Sequence, residues 1–219
     1  MADIRVNHIK AIGFDLDGTL YKANDEIFNH IQEYIARRAA KILGREYEEV
    51  KREFDINYAE FQSASKSLEK MNVAYPESIV QDALEKADVA SILSKDKRLV
   101  ALIDKLRLKR RVFMITSSPN RDAIKKIKAL GLNHNVFHPF LCAEESIQKK
   151  VSRRDHSAFR YISSMLNADF SEMMFVGDRE GTDIIPAKEL GITTAIVNAK
   201  SEHADYQLKS IYDLEKIFF

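Results

Sequence analysis

Two aspartates that leave one buried strand together constrain this chain more than any other feature. Residues Ile12–Tyr21 read I-G-F-D-L-D-G-T-L-Y. Side chains alternate along a strand with period two, so Asp15 and Asp17 point the same way. The apolar approach through Ile9, Ala11, Ile12 and Phe14 predicts a strand buried on both faces, as in parallel sheets. Gly18 frees the backbone to turn and lets a ligand come close. Acids at the carboxyl end of such a strand sit where open α/β sheets bind ligands. The plainer alternative is a polar turn with Asp17-Gly18 as its dipeptide. That alternative leaves the acids and hydroxyls at later strand ends without a reason.

Strand-like and helix-like runs alternate over most of the chain. After the strand at 9–15, a helix is expected at Leu99–Leu108, with Leu99, Leu102, Ile103 and Leu106 on one face. A strand follows at Val112–Thr116, then a helix marked by Ile124, Ile127 and Leu130 and stopped by Gly131. Further strands are expected at Val136–Ala143, Met173–Val176 and Thr193–Val197. Helices are expected around Phe159, Ile162 and Leu166, and over Ile184–Leu190 before Gly191. This alternation predicts an α/β fold: a parallel sheet with helices on both faces and right-handed crossovers.

Residues 21–95 break the pattern. Their apolar residues recur at helical spacing: Ile27, Ile31, Ile35, then Val50, Phe54, Tyr58, Phe61, then Ile79, Ala83, Ala87. The expectation is an all-helical insert, placed as a lid directly after the acidic turn. Its aromatics Tyr47, Phe54, Tyr58, Phe61 and Tyr75 read first as the insert's own core and second as substrate contacts. The domain boundaries are therefore 1–20 with 96–219 for the sheet domain and 21–95 for the helical cap.

Composition narrows the function classes. Apolar residues make up 45% of 219, enough to build a core. Lys+Arg 34 against Asp+Glu 33 leaves a net charge of +1, which gives nucleic-acid polymers and acidic membranes nothing global to hold. The lone cysteine, Cys142, reads as a small buried hydrophobe in a reducing compartment. The opening M-A-D-I-R-V-N-H has no apolar signal core, and no segment is long enough to span a bilayer. A soluble, cytoplasmic protein is expected. The basic run Lys105–Arg111 reads as a solvated helix end.

Two more strand ends carry polar groups. Thr116-Ser117-Ser118-Pro119-Asn120 places hydroxyls and backbone N–H groups at a helix start, which suits both an N-cap and an anion cradle. Gly177-Asp178-Arg179-Glu180-Gly181-Thr182-Asp183 brings two further aspartates out of a buried strand. Four carboxylates, Asp15, Asp17, Asp178 and Asp183, converging on one crevice would repel unless a cation sat among them. Oxygen donors without a Cys/His cluster favour Mg²⁺ over zinc. The six histidines, His8, His30, His134, His138, His156 and His203, show no paired ligand spacing.

The set D-x-D-G-T-L, strand-end Thr, a cation and G-D-x-x-x-x-D resembles the haloacid dehalogenase superfamily of phosphohydrolases. The helical insert is similar to that of the C1-capped subgroup, and D-L-D-G-T-L-Y to its pyrimidine 5′-nucleotidase-like branch. The resemblance implies a Rossmann-like core and a Mg²⁺-dependent phosphatase acting on a small phosphorylated metabolite. It implies Asp15 as the nucleophile that becomes an aspartyl phosphate, and Asp17 as the acid/base. It further implies Thr116, the Ser117 backbone N–H and Gly18 around the phosphate. Asp178 and Asp183 would hold Mg²⁺ with Asp15 and the Asp17 carbonyl. One motif departs: the family usually shows Lys-Pro ahead of the Phe159 helix, and this chain reads K-K-V-S-R-R-D-H-S-A-F. Ungapped spacing puts Arg153 at the lysine position, with Lys149 and Lys150 close enough to substitute.

Asp17 argues against the dehalogenase branch, because carbon–halogen cleavage leaves no oxyanion to protonate. The substrate classes left open are nucleoside monophosphates, phosphoglycolate and sugar phosphates. Alternatives are a phosphomutase, which usually has an apolar residue where Thr19 stands, and a silent protein that binds a phosphorylated ligand.

Overall fold

The computed structural model describes residues 6–22, 25–61, 63–142 and 156–219. Contacts divide the chain into two compact units, one running to Lys22 and resuming over Leu93–Phe219, the other Ala23–Ile92.

The first unit is built on six parallel strands: β1 (Ala11–Phe14), β2 (Arg111–Ile115), β3 (Phe140–Leu141), β4 (Met173–Gly177), β5 (Thr193–Val197) and β6 (Tyr206–Leu208). Their order across the sheet is β3-β2-β1-β4-β5-β6, so the chain reverses its direction of travel between β1 and β4. Successive residues of one strand feed opposite faces. Ile12, Phe14, Val112, Met114, Met174 and Val176 join one core cluster, and Ala11, Phe113, Ile115, Met173 and Phe175 the other.

Helices cover both clusters. The first takes Leu99, Leu102, Ile103 and Leu106 from an α-helix at Lys97–Arg107, and Ala123 and Ile127 from one at Asn120–Ala129. The second takes Ala158, Phe159 and Ile162 from a helix at Ser157–Leu166 and Ala187 from one at Ile185–Glu189. This is the doubly wound parallel sheet expected from the alternation. Gly13, on central β1, lies in register with Phe113 on one side and Phe175 on the other. A Cβ there would come within 2.1 Å of the Phe113 ring, so the glycine is what lets the two rings stack 6.2 Å apart across the strand.

Two strands depart from the sequence reading. Of the run expected as a strand over 136–143, whose last residue lies outside the described ones, the described residues pair at Phe140–Leu141, after a 3₁₀ turn at His134–Val136. Pro139 has no N–H to give a ladder, which shortens the pairing. β6 was not expected, because Tyr206-Gln207-Leu208 is a short edge strand without an apolar run. Cys142 is buried, as expected. Lys105 and Arg110 of the basic run lie over the Phe219 and Phe218 rings, so part of that run packs on aromatic surface.

The second unit is helical. In chain order its helices are α1 (Asp25–Leu43), α2 (Tyr47–Phe61), α3 (Ala64–Lys70) and α4 (Pro76–Lys86). In the same numbering the helices of the sheet unit are α5 (Lys97–Arg107), α6 (Asn120–Ala129), α7 (Ser157–Leu166), α8 (Ile185–Glu189) and α9 (Leu214–Phe218). Ile35, Ala39, Val50, Phe54, Leu68, Met71 and Ile79 form the helical unit's own core. The core reading of the aromatics holds for Phe54, fully buried, and for Tyr47 and Tyr58 packed at its edge. It does not extend to Phe61, which is half-buried outside that core, or to Tyr75, which is 81% exposed. Among the described residues, no helix is long and apolar enough to cross a membrane.

Candidate active site

The polar strand ends gather at the carboxyl edge of the sheet, on either side of the reversal. Asp15 follows β1 directly and its amide donates to the Val176 carbonyl of β4 at 2.9 Å, which ties the two strand ends together. Asp178 and Asp183 follow β4, with Asp183 fully buried. The Arg179 amide donates to Asp183 Oδ2 at 3.1 Å and orients that carboxylate. One carboxylate oxygen from each of Asp15, Asp178 and Asp183 lies within 4.8 Å of the other two. Among the described residues this is the one group of three or more His, Cys, Asp or Glu side chains able to hold a metal ion.

Gly18 is part of the same arrangement. Its φ is +79°, a conformation that side chains resist, and a Cβ on it would sit 2.2 Å from Asp178 Oδ2. The Asn198 side-chain amide donates to the Gly18 carbonyl at 3.0 Å and fixes the turn from the β5 side. Thr116 directly follows β2 and is fully buried, and its hydroxyl accepts the Ser118 amide at 3.1 Å. Acting as acceptor there, the hydroxyl keeps its own proton to give to an anion. Ser117 is exposed at the same turn.

Asp17 does not join the acid trio. The carboxylate oxygens that lie within 4.8 Å of one another come from Asp15, Asp178 and Asp183. The Asp17 carboxylate turns instead to Lys126 Nζ, 2.9 Å from Oδ1, with Tyr21 hydroxyl on Oδ1 and Ser118 hydroxyl on Oδ2, both at 2.5 Å. Lys126 also meets Asp122 Oδ2 at 2.6 Å. Burial pushes the Asp17 carboxyl up, but the Lys126 charge and the hydrogen bonds from Ser118 and Tyr21 outweigh it, and its pKa falls below the usual range. Burial also works against the Lys126 ammonium. Asp17 and Asp122 more than offset this, and its pKa rises. Burial and the Asp17 charge push the Tyr21 phenol up, so it stays a donor.

The sequence alone gives no role to Tyr21, Asp122 or Lys126, and reads Ser118 only as part of the Thr116–Asn120 anion cradle. The helix at 124–130 was read from its apolar residues, yet its buried face comprises Asp122, Ala123, Lys126 and Ile127, while Ile124 is half-buried. A lysine spaced at i+3 from Ala123 and next to Ile127 on an inward stripe was the available signal. Arg153, Lys149 and Lys150 lie outside the described residues. Two cavities, of about 480 and 370 Å³, are lined by none of the predicted site residues.

The sequence pattern of the haloacid dehalogenase-like hydrolases matches residues 9–191, a span that starts before β1 and ends after Asp183. This chain belongs to that family. A haloacid dehalogenase-like hydrolase is therefore the frame for the site. A glyceraldehyde 3-phosphate phosphatase of Methanocaldococcus jannaschii is 25% identical over 226 residues, covering 95% of this chain and 96% of that protein. Among solved structures, a phosphatase of the family from Thermococcus onnurineus shares the fold at TM-score 0.64 and 20% identity, over 95% of this chain and 97% of that one. So does a family member from Bacillus subtilis bound to magnesium, at TM-score 0.63 and 15% identity, over 95% and 98%.

Three carboxylate donors and no nitrogen or sulfur suit a hard divalent cation. The donor set thus fits the divalent metal that hydrolases of this family generally use.

Proposed function

We propose that this hydrolase is a Mg²⁺-dependent phosphatase that cleaves a small phosphorylated metabolite through an aspartyl phosphate on Asp15. The observation that carries the reading is the meeting of Asp15 with Asp178 and Asp183, while the neighbouring Asp17 stands apart with its own hydrogen bonds. Asp15, Asp178 and Asp183, with the Asp17 carbonyl, would hold the ion. When bound, Mg²⁺ offsets charge and orients phosphate oxygens, where most of the catalysis of phosphoryl transfer lies. The family member that carries magnesium supports this choice of ion.

In the proposed reaction, a carboxylate oxygen of Asp15 attacks phosphorus and the bond to the ester oxygen breaks. Asp17, partly exposed at the same turn, is ionised at rest beside Lys126; it takes up a proton from solvent as the dianionic ester binds and gives that proton to the departing oxygen. Water then attacks the aspartyl phosphate, passing its proton to Asp17, and inorganic phosphate leaves with Asp15 restored. Thr116, the Ser117 amide and the Gly18 turn surround the phosphate. A further cation, Arg153 or one of Lys149 and Lys150, neutralises the phosphate next to Asp15. A short sugar phosphate is the substrate class we favour over nucleotides, on the strength of the glyceraldehyde 3-phosphate phosphatase relative.

The test is phosphate release from a panel of triose phosphates, hexose phosphates, phosphoglycolate and nucleoside monophosphates, with Mg²⁺ and with chelator. Turnover that needs Mg²⁺, is fastest on a triose phosphate and is lost in Asp15→Asn supports the reading. Transfer of phosphate back to sugar would assign a mutase, and no release from any ester would leave a binding protein.

A further inference from the structure

We infer that Lys126 is a positioning residue for Asp17: clamped between Asp17 and Asp122, its ammonium fixes the carboxylate that exchanges a proton with the ester oxygen. The inference rests on the phosphatase reading and names a group that the family motifs in this sequence do not include. Lys126 lies on α6, ten residues after Thr116, with its side chain only 5% exposed. Its Nζ stands 2.9 Å from Asp17 Oδ1, 3.0 Å from Ser118 Oγ and 2.6 Å from Asp122 Oδ2. An ammonium has three N–H donors and no acceptor; Lys126 gives hydrogen bonds to Asp17 and Ser118 and faces Asp122 as an ion pair.

Each partner constrains the next. Asp122, one turn earlier on α6, anchors the ammonium. Ser118 accepts from Lys126 and donates to Asp17 Oδ2, while Lys126 and Tyr21 both donate to Oδ1. Both oxygens of Asp17 are thereby held, which fixes the plane of the carboxylate as well as its position. A buried ion pair contributes little to stability against an apolar pair of the same volume. Ala123 and Ile127 on the same face of α6 are core residues, so an apolar side chain at 126 would continue that core. A charge kept there is accounted for by what it holds. The same three partners set Lys126 apart from a cation serving the phosphate on Asp15.

The experiment compares kcat/KM for two ester types in the wild type, Lys126→Met, Lys126→Arg and the double variant Asp122→Asn/Lys126→Met. One ester is the alkyl phosphate that the wild type cleaves best, whose departing alkoxide needs a proton. The other is p-nitrophenyl phosphate, whose phenolate leaves without one. Because kcat/KM ends at the first irreversible step, it reports formation of the aspartyl phosphate alone. Lys126→Met is expected to lose roughly a hundredfold on the alkyl ester, within the range for general acid catalysis, and less than about tenfold on the aryl ester. Lys126→Arg recovers part of the alkyl activity.

The double variant removes the acid that Lys126→Met strands. It is expected to fold and to show the same selective loss. Equal losses on both esters, no loss on either, or failure of both methionine variants to fold overturns the inference in favour of a structural lysine. A wild type that releases phosphate from neither ester overturns the phosphatase reading itself, and this inference with it.

Discussion

Asp15 and Asp17 are two residues apart and meet opposite fates. Asp15 gathers with Asp178 and Asp183, three like charges within 4.8 Å, an arrangement that favours a divalent cation brought from outside. Asp17 meets a lysine, a serine and a tyrosine from its own fold, so the chain supplies the counter-charge. Strand geometry alone points the two side chains the same way, and what separates them is what lies beyond the strand end. The loop after β4 contributes acids on one side, and α6 contributes an acid with its lysine on the other. Adjacent carboxylates thus acquire different chemistry from the elements that flank them.

The sharpest break of this comparison is chemical. Asp15→Asn is expected to lower phosphate release by at least about a thousandfold and to abolish any phosphorylated protein trapped by acid quench. Asp17→Asn is expected to keep the trapped species when an activated aryl ester supplies it, and to hydrolyse it slowly. A phosphoenzyme that survives Asp15→Asn would reassign the nucleophile and dissolve the distinction.

Metal removal separates the two groups by stability. At a hundredfold excess over its Kd, a divalent ion is expected to stabilise the wild type by about 2.7 kcal/mol, read as a shift in Tm. Asp178→Asn and Asp183→Asn should lose that shift and Lys126→Met should retain it. A shift lost equally in all three would show one coupled cluster rather than two.

Gly18 stands at the boundary, inside the turn that begins at Asp17 and against Asp178. Gly18→Ala forces a Cβ to 2.2 Å from Asp178 Oδ2 at a φ of +79°. A loss of about 2 kcal/mol in urea unfolding is expected, with a weakened divalent shift. Unchanged stability would mean the close approach does not exist in solution.

The legibility of the molecule divides along the same line. β1, β2, β4 and β5 show as continuous apolar runs because they are buried on both faces, and Asp15, Asp178 and Asp183 stand out as acids at their ends. Edge strands are harder: β6 pairs on one side and needs no apolar run, and the stretch expected as a strand around β3 narrows where Pro139 interrupts the donors. Lys126 was hidden for another reason. A lysine on an amphipathic helix normally marks the wet face, and only tertiary packing shows that Asp122 and Lys126 are paired on the dry one. Motif spacing reaches residues that leave strands, and misses those that arrive from a helix face.

A carboxylate remote from the acid trio gives the comparison its baseline. Asp205 receives the Thr194 amide at 2.9 Å and the Thr194 hydroxyl at 3.0 Å, and pairs with Lys188. Burial raises its pKa, but the Lys188 and Thr194 hydrogen bonds outweigh that, leaving it below the usual aspartate value. A depressed folded-state pKa contributes stability that is present above the unfolded value, near about 4, and is lost as pH falls through the folded one. Asp205→Asn is therefore expected to cost about 1 kcal/mol at neutral pH, discounted for its partial exposure, and to flatten the fall in stability below about pH 4. Activity measured alongside should stay at the wild-type level. A carboxylate held by its own chain but distant from the strand-end acids then loses stability alone, whereas Asp17, held in a similar way beside Asp15, loses chemistry.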